Sequence, residues 1–296
     1  MLSNKSMRSG LRALFLFLPF FVLTGYAAQQ GNVGGSPDAT VTLTYQFPEG
    51  KTLSYRVTSN STQNIDIMGQ TITTGSLSTL EFSAKAKGLK DGQYTLGVTI
   101  DALKVTAQTP QGEMSPDTSA VLGKSFDMIL SRLGKEIDTS GASSLQYTVP
   151  SGGRQDLADD FQTFFPDPPD RPVKTGDTWP SEDTVTQKPE GGEIHLVVKH
   201  VHTLDGFETV DGFECARIKT TIKGTMTGNM QQGGVGLSIE GRIDGTETWY
   251  FATKEGIFVK SDMKASVEAS ITAGDPMNTT FPMTGEERAE TRLLKK

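Results

Sequence analysis

From Val235 onward the chain alternates apolar and polar residues with a period of two. The odd positions Val235, Leu237, Ile239, Gly241 and Ile243 share one side, and the series resumes at Trp249 and Phe251. Past a turn at Lys254-Glu255-Gly256 it runs on through Ile257, Val259, Ser261, Met263, Ala265, Val267, Ala269 and Ile271. Period two is the mark of a strand with one buried face. Runs of a dozen residues or more exceed the usual five or six. The expected fold class is therefore all-β and mainly antiparallel, a long-stranded curved meander or partly open barrel.

The same pattern fills two stretches. The first carries Tyr55 and Val57, then Leu80 to Ala86, a turn at Asp91-Gly92, and Tyr94, Leu96, Val98 and Ile100 in alternation. It ends with Phe126 to Leu130, a turn at Leu133-Gly134-Lys135, and Ile137. The second starts at Gly176-Asp177-Thr178-Trp179 and carries Ile194, Leu196, Val198, His200 and His202. A turn at Asp211-Gly212 leads to Ala216, Ile218, Thr220, Ile222, Gly224 and Met226. Asp-Gly between alternating runs is a strong hairpin signal. The shared order fits a duplicated meander, or two meanders alike by chance. The organisation expected is an N-terminal β half over 41–150, a helix and Pro-rich connector over 151–175, and a C-terminal β half over 176–296. Thr279 to Leu294 predicts a final edge strand, with Arg288, Glu290 and Arg292 blunting edge-to-edge pairing.

One short helix is expected between the halves. In Arg154 to Phe165, Leu157, Phe161, Phe164 and Phe165 fall at i, i+4, i+7 and i+8, a single helical face. Asp156, Asp159 and Asp160 lie toward its N-terminal end, where the helix dipole favours acids. Pro166, Pro168 and Pro169 then stop it. Such a helix either plugs one open end of the sheet or covers a ligand groove.

Residues 1–28 read as a secretory signal: basic Lys5, Arg8 and Arg12, an apolar run Ala13 to Leu23, and small residues Gly25 and Ala27. Residues 29–40 are polar and glycine-rich and read as a disordered leader. Loss of the signal removes three basic residues and no acid, taking the formal charge from −7 to −10. An acidic surface repels nucleic acid. The location expected is periplasmic or secreted, with no integral membrane span once the signal is cleaved. The one cysteine, Cys215, rules out a disulfide within the chain and reads as a buried thiol.

Catalytic and metal motifs are sparse. The three histidines are His195, His200 and His202. The last two share a strand face and would need a third ligand from a neighbour to hold a metal; polar residues at a strand end near a hairpin explain them more simply. Ser261 and Lys264 have Ser-x-x-Lys spacing but face opposite sides of a strand. Gly123-Lys124-Ser125 lacks the earlier glycine of a phosphate loop, Thr118 standing there. Neither a catalytic residue, a metal nor a cofactor is expected. What remains is an apolar face of Ile218, Ile222, Met226, Met263, Val267 and Ile271, with small Gly224, Ala265 and Ala269 leaving space between them. Methionines adapt to varied apolar guests. With Phe161, Phe164 and Phe165 as a cover, that face is the candidate ligand site; packing against the other half is its alternative use.

Four stretches resemble a group of exported bacterial proteins classed as a domain of unknown function. They are Gly50-Lys51-Thr52-Leu53-Ser54-Tyr55, Asp91-Gly92-Gln93-Tyr94, the segment Pro172 to Pro180 (PVKTGDTWP), and Glu247 to Phe258 (ETWYFATKEGIF). The resemblance implies a β-rich envelope protein and brings no catalytic residues. More remotely, long curved strands with a helix resemble the periplasmic lipoprotein carriers, whose unclosed barrel holds acyl chains. The chain departs from those carriers in its two similar halves and its single helix. The function expected is that of a non-enzymatic exported β-protein binding an apolar or lipid-like ligand or an envelope protein partner. Its alternative is a structural or protein-interaction module with a filled core.

Overall fold

A computed structural model describes residues 40–149, 154–189 and 191–294. The expected signal segment, and the leader up to residue 39, lie outside the described residues. Fourteen strands follow in chain order: β1 (Thr52–Ile67), β2 (Gln70–Lys90), β3 (Gln93–Thr109), β4 (Gly112–Met114), β5 (Ser125–Ser131), β6 (Glu136–Asp138), β7 (Gln146–Thr148), β8 (Arg154–Asp156), β9 (Thr178–Gln187), β10 (Gly192–Val210), β11 (Phe213–Gln232), β12 (Val235–Ala252), β13 (Ile257–Ala273) and β14 (Thr279–Leu294). A single α-helical turn, α1 (Ala158–Phe161), lies between β8 and β9. The fold is all-β, as the alternation predicts.

One antiparallel sheet takes up nearly all of it, in the order β6-β5-β3-β2-β1-β14-β13-β12-β11-β10-β9, with β4 added beside β3. The halves thus form one sheet, joined where the first long strand pairs with the last along Ser54↔Leu294 to Ile65↔Met283. This corrects one expectation. β14 is not an edge strand: its inward positions Phe281, Met283 and Ala289 are buried, and its backbone pairs with β13 on one side and β1 on the other. The true edges are the short β6 and β9.

Local chemistry sets the hairpins. Asp91-Gly92 and Asp211-Gly212 both have positive φ (51° and 77°, 50° and 86°), the turn whose twist matches the flanking strands. Met68-Gly69 and Gly233-Gly234 make the same turn.

The predicted helix shrinks to one turn. Asp156 ends β8 and its Oδ1 accepts the Ala158 N–H at 2.9 Å, a side-chain turn that competes with a longer helix. Gln162 to Phe165 do not continue the helix, and Pro166 follows. The four apolar residues of the expected face are nonetheless all buried.

The sheet curls so that its edges approach. Lys135, in the β5–β6 turn, reaches Asp183 of β9 at 3.3 Å. Residues 41–47 run through the opening as an extended segment. Val41 and Val173 exchange backbone hydrogen bonds, Tyr45 N–H donates to Arg132 O and Gln46 N–H to Gly256 O. Leu43, Tyr45 and Phe47 point inward. The connector is pinned to them: Tyr45 Oη donates to Pro166 O at 2.9 Å and Trp179 Nε1 to Asp167 O at 2.9 Å. The Phe165 N–H donates to Glu136 Oε1 at 2.7 Å.

Gly134 is where this end closes most tightly. Its φ is +83°, and a Cβ there would sit 2.4 Å from Pro166 O and 2.7 Å from the Tyr45 ring. Gly134→Ala is expected to cost about 1–3 kcal/mol in urea denaturation. Gly50 has nearly the same φ, +78°, with open space around it. Gly50→Ala therefore measures the backbone conformation alone, and equal losses for the two would refute the tight closure.

The curl also has a sequence cause. A Cβ on Gly241 would lie 2.6 Å from Ala269 Cβ, and one on Gly245 3.1 Å from Ala265 Cβ. These are direct cross-strand partners, normally about 4.5–5.5 Å apart. Crowding on this scale belongs to the concave face of a strongly curved sheet, where glycine lets neighbouring strands close up. Ala265 and Ala269 stand directly in front of Gly245 and Gly241.

The convex face is polar. It carries Arg56–Glu81 at 2.8 Å, Arg242–Glu268, and Arg217 between Asp205 and Glu208 at 2.7 Å each. Strands that cross a membrane as a barrel present the opposite arrangement, apolar outward and polar inward.

Candidate functional site

Inward side chains form two apolar clusters. The first packs Tyr55, Phe82, Ile218 and Trp249 of the sheet against residues from outside it: Leu43, Tyr45 and Phe47 from the N-terminal segment, and Leu157, Phe161, Phe164 and Phe165 around α1. Its rings meet edge to face. Phe82 lies 5.0 Å from Phe161 at 77° and 4.8 Å from Phe164 at 79°. Tyr45 lies 5.1 Å from Phe251 at 87°. Such pairs add about 0.5–1.5 kcal/mol each to the burial itself.

The second cluster lines the other part of the inner wall. It holds Ile222, Met226, Met263, Val267 and Ile271, together with Leu237, Ile239 and Ile243 of the intervening β12, and Met230 and Met283. The residues singled out from the sequence are all buried, but they do not make one surface. Ile218, Phe161, Phe164 and Phe165 belong to the first cluster; Ile222, Met226, Met263 and Val267 belong to the second. Ile218 sits level with Trp249, its cross-strand partner.

Between the clusters runs a belt of buried polar groups that sequence reasoning passed over. On β1 it comprises Ser59, Ser61 and Gln63; on β14, Glu287 and Thr291; on β13, Ser261. Ser261 and Thr291 are cross-strand partners, both fully buried, and neither hydroxyl oxygen has a hydrogen-bond partner. Glu287 is 2 % exposed, and its Oε1 has no partner. Burial pushes its pKa well above the usual carboxylate range, and the charge of Asp160 adds to the effect. Burial likewise raises Asp160 to about 7 and Asp159 to about 6. Gln187 Nε2 of β9 stands beside Asp159 without a hydrogen bond of ordinary geometry. The charge of Asp160 is thus felt at Glu287 of β14, and Asp159 stands near Gln187 of the far edge strand β9. The signal was in the sequence: Glu287 lies in phase with Met283 and Ala289, on the apolar side of its strand.

The histidines are no strand-end ornament. His202 is buried between Trp179, stacked at 5.4 Å, and Trp249, edge-on at 5.9 Å. Its Nε2 pairs with Ser181 Oγ at 2.9 Å and its Nδ1 with Thr220 Oγ1 at 2.8 Å, and Trp249 Nε1 donates to the same Thr220 oxygen at 3.1 Å. His200 Nδ1 lies 3.5 Å from Asp183. Burial, with the neighbouring His200, pushes His202 down to about 3. A base that weak cannot take a proton from Ser181 near neutral pH. The network stitches the edge strand β9 to β10 and β11. Cys215 is buried, as expected, and burial pushes its thiol up to about 12. No group of three or more metal-ligating side chains stands together among the described residues.

No family model matches the chain, and no curated protein matches it. Among solved structures, an exported protein with a YmcC-like fold from Bacteroides fragilis aligns at 10 % identity, over 86 % of this chain and all of that one, with a TM-score of 0.24. OccK2 (OpdF) of Pseudomonas aeruginosa aligns at 6 % identity over 84 % of this chain and all of that one, TM-score 0.26. A BenF-like porin from Pseudomonas fluorescens aligns at 8 % identity over 83 % of this chain and all of that one, TM-score 0.22. TM-scores this low establish no common fold, so the fold and the site stand on this chain's own geometry.

Proposed function

We propose that the protein is a non-enzymatic, exported β-protein that holds an apolar, lipid-like ligand against the inner wall of β9 to β14. One observation carries the reading. The first cluster is plugged by segments from outside the sheet, whereas among the described residues every buried member of the second lies on a strand of the sheet itself. A wall of Ile, Leu and four Met, curved inward under a charged convex face, has the chemistry of an apolar binding chamber. The weak base His202 and its neutral Thr220 partner support the non-enzymatic part. Export rests on the composition of residues 1–28.

The competing use of the same wall is a filled core, in which the protein acts as a structural or interaction module. The near-complete burial of Ile239, Met263 and Ile271 favours it. Native mass spectrometry of protein purified gently from the periplasm of an expressing host, with lipid extraction, separates the two. A stoichiometric apolar adduct is expected. A bare chain mass that acquires no adduct from added phospholipid or fatty acid would leave the filled core standing.

A further inference from the structure

We infer that the inner wall holds a head-group subsite for a protonated amine, formed by Glu287 of β14 and Asp160 of α1, so that the ligand is an amphiphile with a cationic head and an apolar tail. This deepens the reading of the chamber given above and rests on it.

The subsite sits at the border of the two clusters. Glu287 pairs across the sheet with Ser61 on β1 and Ala265 on β13. Ser59 and Gln63, one inward position to either side of Ser61, are buried with it. The groups beside Glu287 on its own sheet are therefore uncharged. The charged group that bears on it comes from above, Asp160, which is itself surrounded by Asp159 and Asp156. Every charge named at this point is negative. A buried carboxylate is costly unless it is paired, and Glu287 Oε1 is aimed into the interior with no hydrogen-bond partner at all. An ammonium group would satisfy that oxygen and relieve the repulsion from Asp160 together; an anionic head would add to the repulsion.

The tail would lie along β14. From Glu287 to Phe281 the inward side of β14 runs through Gly285 and Met283, about 20 Å of strand. Met263, Val267 and Ile271 of β13 lie alongside it, paired with Ala289, Gly285 and Phe281. A single alkyl chain laid along this wall would reach the methionines with its head at Glu287.

The test is displacement of a fluorescent apolar probe, N-phenyl-1-naphthylamine, from the purified protein. The competitors are decylamine, 1-decanol and decanoate, kept below micelle formation at about pH 7.5, where the amine is cationic and the acid anionic. Decylamine is expected to displace the probe at about tenfold lower concentration than decanoate, with 1-decanol between. Glu287→Gln, which keeps size and shape, is expected to weaken decylamine about tenfold and leave 1-decanol unchanged. Asp160→Asn provides the same comparison should the first variant fail to fold. Equal displacement by all three competitors would overturn the head-group subsite and leave the apolar chamber standing. A protein that neither binds the probe nor responds to any competitor would overturn both.

Discussion

Phe161→Ala is expected to cost about 3–5 kcal/mol in urea denaturation, a large share of the stability of most domains. Phe161 is fully buried, on the one turn of α1. Its ring stands edge to face with Phe82 of β2 and Phe126 of β5, both at 5.0 Å. It thus joins the α1 plug to two strands that are not adjacent in the sheet. Removing the ring opens a cavity that α1 cannot close by collapsing, because Phe164, Phe165 and the Glu136 hydrogen bond hold the following residues in place. Phe161→Leu, which keeps most of the volume, should lose far less, about 1 kcal/mol. A loss under about 1 kcal/mol for the alanine variant would mean that this ring is not part of the core. The variants also separate the two roles weighed for this segment. Phe161 belongs to the first cluster, so Phe161→Leu should leave binding of an apolar probe unchanged; a large change would make the segment a cover for the ligand instead.

Much of this fold is legible in the chain. The period-two runs locate every long strand, and the Asp-Gly pairs locate two hairpins. The turns at Met68-Gly69 and Gly233-Gly234 have the same geometry with weaker sequence marks. What a local pattern cannot carry is the neighbour of each strand. β14 alternates like an edge strand with charges on one side, and only its pairing with β1, more than two hundred residues away, makes it central. One short helix stands between the halves as expected, a single turn long. The spacing of Leu157, Phe161, Phe164 and Phe165 fits a helical face, yet those residues are buried by a plug whose path is set by Asp156, the prolines and Tyr45. The site was legible only in part. Met226, Met263, Ile222 and Val267 do line the inner wall, while a side chain at Gly224 would meet Val197 O at 3.0 Å and Ile243 and Val198 at 3.4 Å. Glu287 passed unnoticed because a single acid in a charged strand looks solvated until the phase of its neighbours is followed.

The buried acids predict a protein that grows more stable as the pH falls from about 7 to about 4, the opposite of ordinary acid destabilisation. Asp160 titrates at about 7 in the fold against 3.8 when exposed, and Glu287 and Glu136 are also pushed well up by burial. Each of these groups binds its proton more tightly folded than unfolded. Between the two pKa values the folded chain therefore carries more protons than the unfolded one, and stability falls as pH rises. For Asp160 the gain at low pH is about 2 kcal/mol once partial solvent screening is allowed for. Below about pH 6.5 the sign is opposed by His200 and His202, which burial pushes down: the unfolded chain takes up protons there that the fold refuses. The histidines make that rise shallower, while Asp159 and Asp167, at about 6, add to it. Cys215, pushed up to about 12, acts in the same direction as the acids but only toward the alkaline end. Asp160→Asn supplies the decisive comparison. It should match the parent protein near pH 4 and exceed it by about 2 kcal/mol from about pH 7 upward, where the parent must bury a charge beside Glu287. Urea midpoints across this range read the difference directly. A parent protein whose stability is level or rises with pH between about 4 and 7 would show that water reaches these carboxyls, and that the interior belt is wet when the chamber holds no ligand.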